Sequence, residues 1–382
     1  MNIFAPLFLT SILAMATATA GETVLHRFSG GADGGIPEAG LVMDKKGNLY
    51  GATFSGGVGA SGGCGVVFKI NRRGHETVLH TFTGPPDDGC APAANVILDR
   101  GGNIYGTTET SGQNGRGTVF EITAGGTYRT RYSFSGPDGD MPLTSLVVDR
   151  QGKLYGTTSR GGESNLGTVF KLSPEDVETV LHSFAGGSDG AKPNGLLAIK
   201  GKLYGTTQVG GTADVGTFFS VTTTGKEKVL HNFSGGDDGQ YPVGNLIDDD
   251  SGNLYGATVA GGAIGAGTVF EMTQSGVETV LDDFSQHHAN SPLGTFVRDS
   301  AGDLFGTTQL GGEDGGGAGT VFKLAPDGTE SILYSFQNGN DGGLPNGGVV
   351  QDAEGNLYGT TYYGGKTNCF TGPCGIVFEV TP

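Results

Sequence analysis

The sequence predicts an all-β, seven-bladed β-propeller whose N-terminal strand completes the last blade. Three observations carry that prediction. The string Gly-Asn-Leu-Tyr-Gly-Ala-Thr at 47–53 returns at 102–108, 152–158, 201–207, 252–258, 302–308 and 355–361, a period of about fifty residues typical of blade repeats. Each unit holds four apolar runs of strand length, rich in β-branched and aromatic residues, and none sustains a helical period. The chain also opens at 22–28 on a run that elsewhere closes a unit, so the two ends share one unit.

Taken in order, residues 1–20 form a short apolar stretch ending in Ala18-Thr19-Ala20, the pattern of a secretory signal cleaved near Ala20. The apolar run is too short for a spanning helix. The chain stops at Pro382 without a hydrophobic tail. A secreted or periplasmic, unanchored monomer is expected, with one domain over 21–382.

In the first unit the long segment Ser29–Ala39 precedes Gly40–Asp44, which makes the latter the inner strand A. Asn48–Thr53 is then B, Gly65–Ile70 is C and Thr77–Phe82 is the outer D. On this phase 22–28 is a D strand, and 347–380 supplies A, B and C of blade seven. A and B are joined by Asp44-Lys45-Lys46-Gly47, and the same Asp-x-x-Gly recurs in every unit but the fourth. Asp caps such a turn through its side chain and Gly supplies a positive φ. A four-stranded sheet cannot bury both faces alone, so Phe28, Leu49, Tyr50, Phe68 and their equivalents should form the core between blades. Gly51 and its equivalents should allow close sheet approach.

The pattern Val-Leu-His-x-Phe-Ser-Gly-Gly-x-Asp-Gly, then Gly-Asn-Leu-Tyr-Gly-Thr-Thr, then Gly-Thr-Val-Phe-Lys-Leu resembles the GloVer tandem-repeat family of secreted bacterial proteins over residues 22–382. The resemblance implies an exported repeat protein and no defined activity. The Asn-Leu-Tyr strand also resembles that of streptogramin-lyase-like propellers, a likeness of fold without a matching catalytic set.

The 39 acidic residues outweigh 22 basic ones, for a net charge of −17. That argues against nucleic acid, which needs a basic face. Most of the 74 glycines fall at fixed repeat positions and are turn residues, not low complexity. Four cysteines in an exported chain point to disulfides, with Cys64–Cys90 and Cys369–Cys374 as the pairs. No residue set calls for a cofactor or a metal: the aspartates Asp33, Asp88, Asp138, Asp189, Asp238 and Asp341 precede Gly in turns that enter strand A, and no Asp-x-Asp-x-Asp-Gly loop accompanies them. His26, His80, His182 and His231 recur at one strand position and read as scaffold, whereas His287-His288 replaces a loop string.

The B–C and D–A loops share one face, where the repeat is broken by Phe54, Tyr362, Tyr363 and Phe370 in neighbouring blades one and seven. Aromatic rings stack on sugars and on partner side chains. Glu109, at the end of strand B in blade two, is placed to accept hydrogen bonds. A ligand-binding patch for an extracellular glycan or protein is expected there. Two other classes stand beside it. One is a polysaccharide lyase or hydrolase drawing on Glu109, Arg160 or His287. The other is a structural surface or matrix component.

Overall fold

The computed structural model describes residues 21–57, 62–284, 289–312, 317–365 and 374–382. In blade one, strand A is Val42–Met43, B is Leu49–Thr53, C is Val66–Ile70 and D is Glu76–Thr81, hydrogen-bonded in that order. Seven such four-stranded antiparallel sheets follow one another along the chain. The first strand, Gly21–Arg27, pairs antiparallel with the last, Ile376–Thr381, with Glu22 opposite Val380 and Arg27 opposite Ile376. The predicted closure is therefore present, and it satisfies an edge that would otherwise face water. The inner strand varies. It spans two residues in blades one, two, three and seven but nine or ten in blades four, five and six, as in Ala191–Ile199 and Ala289–Arg298. Those longer strands are interrupted by register shifts just after Pro193, Val243 and Leu293. Apart from a 3-10 turn at Gly187–Asp189, the described residues form no helix, and none is long and apolar enough to cross a membrane.

The repeated Asp-x-x-Gly turn is one hydrogen-bonded unit with the strand after it. Asp44 Oδ1 accepts from the Lys46 and Asn48 amides at 2.8 and 2.9 Å, and Oδ2 accepts from Asn48 Nδ2 at 2.7 Å and the Tyr50 hydroxyl at 3.1 Å. Burial works against the Asp44 charge, yet these donors hold the carboxyl below its usual value. Gly51 behaves differently from the expectation of close sheet approach. A methyl there would meet Phe68 Cζ of the same blade at 2.6 Å, so the glycine makes room for a ring.

The apolar core is divided among seven clusters, each drawn from two neighbouring blades. Phe28, Val377 and Cys374 of blade seven pack with Leu41, Leu49 and Phe68 of blade one, for example, and Phe82 of blade one packs with Ile104 and Phe120 of blade two. At every seam a Phe that follows strand D meets the strand-C Phe of the next blade, Phe28 on Phe68 and Phe336 on Phe378 among them, with centroids 5.0–5.4 Å apart. Edge-to-face or tilted pairs of this kind add about 0.5–1.5 kcal/mol each beyond their buried area.

A second contact recurs on the loop face. The residue before the repeat proline, in turn Ile36, Ala91, Met141, Lys192, Tyr241, Ser291 and Leu344, has φ between 51° and 59°. Its amide donates to a carbonyl of the preceding blade at 2.7–3.2 Å, from Ile36 to Cys374 and from Leu344 to Ala318. The proline then lies against a glycine that opens strand C of that preceding blade. A methyl on Gly167 would sit 2.6 Å from Pro193 Cδ and 2.5 Å from the Thr158 carbonyl oxygen, at a backbone φ of +104°. The Cys64–Cys90 disulfide spans one of these seams, with Cα atoms 4.4 Å apart, and lies immediately before Gly65 and Ala91. Cys374 is disulfide-bonded as well, and its expected partner Cys369 lies outside the described residues.

Two substitutions separate the roles of this seam. Gly167→Ala should cost about 2–3 kcal/mol through strain and overlap, and lower the melting temperature. Lys192→Gly should leave melting unchanged or raise it. Relief of left-handed strain, about 1–2 kcal/mol, exceeds the added chain entropy of about 0.5–1 kcal/mol. Calorimetry on both variants checks this, and a Gly167→Ala protein melting with the parent contradicts it.

Candidate functional site

The loop face surrounds the mouth of the central channel. Each B strand carries a buried threonine at or near its end whose hydroxyl donates to the carbonyl two residues ahead, at 2.9 Å from Thr53 to Ser55, 3.2 Å from Thr108 to Thr110 and 2.6 Å from Thr361 to Tyr363. The intervening residue is held from the other side. The amides of Phe54, Glu109 and Tyr362 donate to the carbonyls of Ile36, Ala91 and Leu344 at 2.8, 2.9 and 3.0 Å. Phe54, Glu109 and Tyr362 are thus equivalent positions of blades one, two and seven, presented at one rim by one backbone device.

Inside that ring lies another, made by the residue after each repeat proline. It reads Glu38, Ala93, Leu143, Asn194, Val243, Leu293 and Asn346. Glu38 is the only charged member. Its place is fixed by neighbours on both sides: the Thr360 hydroxyl of blade seven donates to the Ala39 carbonyl at 2.7 Å, and the Gly40 amide donates to Asn95 Oδ1 of blade two at 2.8 Å. Burial pushes the Glu38 carboxyl up to about 7, and the Glu109 charge adds to the rise. Glu109 is itself raised by burial, with the Arg160 guanidinium pulling it back. The Tyr362 phenol is raised by burial and then by the Glu38 charge. Tyr362, Glu38, Glu109 and Arg160 come from blades seven, one, two and three, consecutive around the ring.

Of the expected patch, Glu109 and Tyr362 stand at equivalent rim positions of blades two and seven, the blades on either side of Glu38, a carboxylate that sequence reasoning missed. Tyr363 packs edge-on against Tyr362 with centroids 5.1 Å apart. Phe54 occupies the ring position between Tyr362 and Glu109, half-buried, and makes no ring contact among the described residues. Phe370 and His287-His288 lie outside the described residues. Glu38 is legible as the one carboxylate in seven post-proline positions, but the Asp-Gly-x-x-Pro string points to a turn.

The mouth encloses about 200 Å³. Its floor is formed by Asn95, Ser145, Asn245 and Thr295, which also line the top of a wider, mostly apolar cavity of about 500 Å³ along the A strands. Asn245 Nδ2 donates to Ser145 Oγ at 3.2 Å across blade four, whose post-proline segment is one residue shorter. Beside them the backbones of blades five, six, seven and one approach so closely that a methyl on Gly294 would lie 2.1 Å from the Gly348 amide nitrogen. Glycine is required there because no side chain fits. The mouth is therefore a cup of mixed polar and apolar lining beside these close backbone contacts.

No curated protein matches this chain in sequence. Among solved structures, a streptogramin B lyase superposes with a TM-score of 0.63 at 13% identity, covering 95% of this chain and 97% of that one. The selenomethionine-substituted virginiamycin B lyase from Staphylococcus aureus gives 0.63 at 16% identity, covering 95% and 99%. Likeness at these identities carries the propeller fold alone. In sequence, a family model matches residues 10–200 and 194–373. The repeat found at the outset is thus that of a described family, and the chain belongs to the Gloeobacter/Verrucomicrobia repeat family.

Proposed function

We propose that this protein is an exported binding propeller that takes a hydroxyl-rich ligand of the glycan class at the channel mouth. The carrying observation is Glu38, the single carboxylate of the inner ring, with Tyr362 and Glu109 at equivalent rim positions of the blades on either side. Sugar hydroxyls donate to carboxylates, and the apolar face of a pyranose covers an aromatic ring. The asparagine and threonine side chains of the cup add further polar groups. The signal-like N-terminus and the disulfide support a location outside the cytoplasm.

A second reading rests on the same carboxylates. A carboxyl held near 7 beside a second one and a guanidinium is the arrangement used for acid–base cleavage of polysaccharides. Assays for new reducing or unsaturated ends, run alongside binding, decide between the two. Retention without cleavage supports the binding reading, and cleavage lost in Glu38→Gln supports the enzyme.

The test is a polysaccharide and glycan-array screen of the parent with Tyr362→Ala and Glu38→Gln. Each substitution should reduce retention of the bound glycan at least tenfold, or about 1.4 kcal/mol. Unchanged retention with a lowered melting temperature would show that the residues only pack the closure seam. Binding that needs Glu38 as an acceptor should weaken as pH falls from about 7 to about 5. Stability should move the opposite way. Because the folded-state value is raised, the Glu38 contribution is complete below its unfolded value and is lost as pH rises through about 7. Glu38→Gln should flatten both profiles.

A further inference from the structure

On the outer rim, away from the mouth, the scaffold histidines meet two carboxylates across the seams. His231 lies on strand D of blade four (Glu227–Asn232), Asp238 in the loop that follows it, and Glu278 at the start of strand D of blade five (Glu278–Asp283). His231 Nε2 is 3.1 Å from Glu278 Oε2 and 3.6 Å from Asp238 Oδ2. One seam earlier His182, Asp189 and Glu227 repeat the set, with His182 Nε2 3.0 Å from Asp189 Oδ1. In each trio one donor atom per residue lies within 4.8 Å of the others.

Hydrogen bonding leaves this arrangement incomplete. The Glu278 side chain is only 7% exposed. Its carboxylate faces His231, and Oε1 is buried with no hydrogen-bond partner. Glu227 Oε1 is buried and unpartnered in the same way, as are the equivalent oxygens of Glu22, Glu76, Glu178 and Glu330, so it is the convergence of histidine, aspartate and glutamate donor atoms that distinguishes these two seams. A buried carboxylate oxygen without a donor costs about 1–3 kcal/mol or more, and here it sits near a second carboxylate. The aspartate is oriented independently: Asp238 accepts from the Ser234 amide at 2.9 Å and from Ser234 Oγ at 2.6 Å, with lone pairs to spare.

We propose that these two seams are binding sites for a first-row divalent cation, held by His231, Asp238 and Glu278 and by His182, Asp189 and Glu227. An imidazole and two carboxylates form a mixed nitrogen–oxygen set suited to Zn²⁺ or Mn²⁺, with water completing the shell. Ligand atoms about 2.1 Å from a tetrahedral ion lie about 3.4 Å apart, close to the separations around His231. The ion supplies the buried carboxylate oxygen with its missing partner and ties the outer strands of adjacent blades. Calcium, which takes six or more oxygens, fits the set less well. At the seam between blades two and three Tyr132 replaces the histidine and donates to Asp138, so Glu178 there belongs to no such trio.

The experiment is titration calorimetry of the chelator-treated full-length protein with ZnCl₂, and with CaCl₂ as comparison, followed by thermal melting. Two Zn²⁺ ions per chain are expected, with a raised melting temperature. Glu278→Gln and Glu227→Gln should each remove one, and the double variant both. These isosteric changes mimic the protonated acid and preserve the fold. Glu178→Gln should leave the stoichiometry at two. Zinc uptake should weaken at least tenfold from pH 7.5 to 5.5, because the ion displaces protons from its ligands. No zinc uptake, or uptake that the double variant retains in full, overturns the proposal, as does equal loss in Glu178→Gln.

Discussion

The ring depends on one constraint, imposed at each seam: seven residues other than glycine are held in the left-handed region so that their amides reach back to the preceding blade. That conformation costs about 1–3 kcal/mol per residue. Its recurrence at all seven seams means that the surrounding contacts over-determine it. The proline that follows presses on a glycine of the neighbouring blade, and beneath them a Phe ring meets the next blade's Phe. Backbone pairing defines each sheet, but the angle between sheets is set here. The same device orients the mouth, since the left-handed residue also accepts a hydrogen bond from Phe54, Glu109 or Tyr362.

Function in such a ring arises from departures from equivalence. The scaffold supplies seven copies of a position, and the chain fills one of them differently. Glu38 among Ala93, Leu143 and Val243 is one example, and Tyr362 opposite Ser159 and Gln208 is another. The outer rim shows the converse: a histidine–aspartate pair is kept at several seams, Tyr132 or Tyr334 takes the histidine's place at two others, and Tyr128 takes the glutamate's place beside the His80–Asp88 pair. At Tyr128 the ring stacks on His80 at 3.5 Å and donates to Asp88, so that seam is satisfied without a glutamate.

Much of the architecture was readable from the repeat, because a period of strands and turns leaves few ways to bury both sheet faces. The phase followed from the long segment before Gly40, and the closure from the position of 22–28. The Cys64–Cys90 pair followed from the neighbouring ends of adjacent strands. What could not be read were contacts between blades. Pro37 reads as a turn residue and is a seam residue lying on Gly375, some three hundred and forty positions away and next to it only in the closed ring. Gly51 looked like a point of sheet approach and is the space under Phe68. Glu38 was hidden for the same reason: Tyr362 and Glu109 belong to other blades, and its carboxyl is raised first by burial in the closed ring and then by the Glu109 charge.

The account stands most directly on the shared last blade. Melting of a chain that begins at residue 29, with and without a synthetic peptide of residues 21–28 added in trans, tests it. Without the first strand, Phe28 no longer covers Phe68, and the edge of Ile376–Thr381 is unpaired. The expected result is a broadened transition at markedly lower temperature, restored by the peptide. A shortened chain that melts as sharply and as high as the parent would contradict closure as the source of the ring's stability.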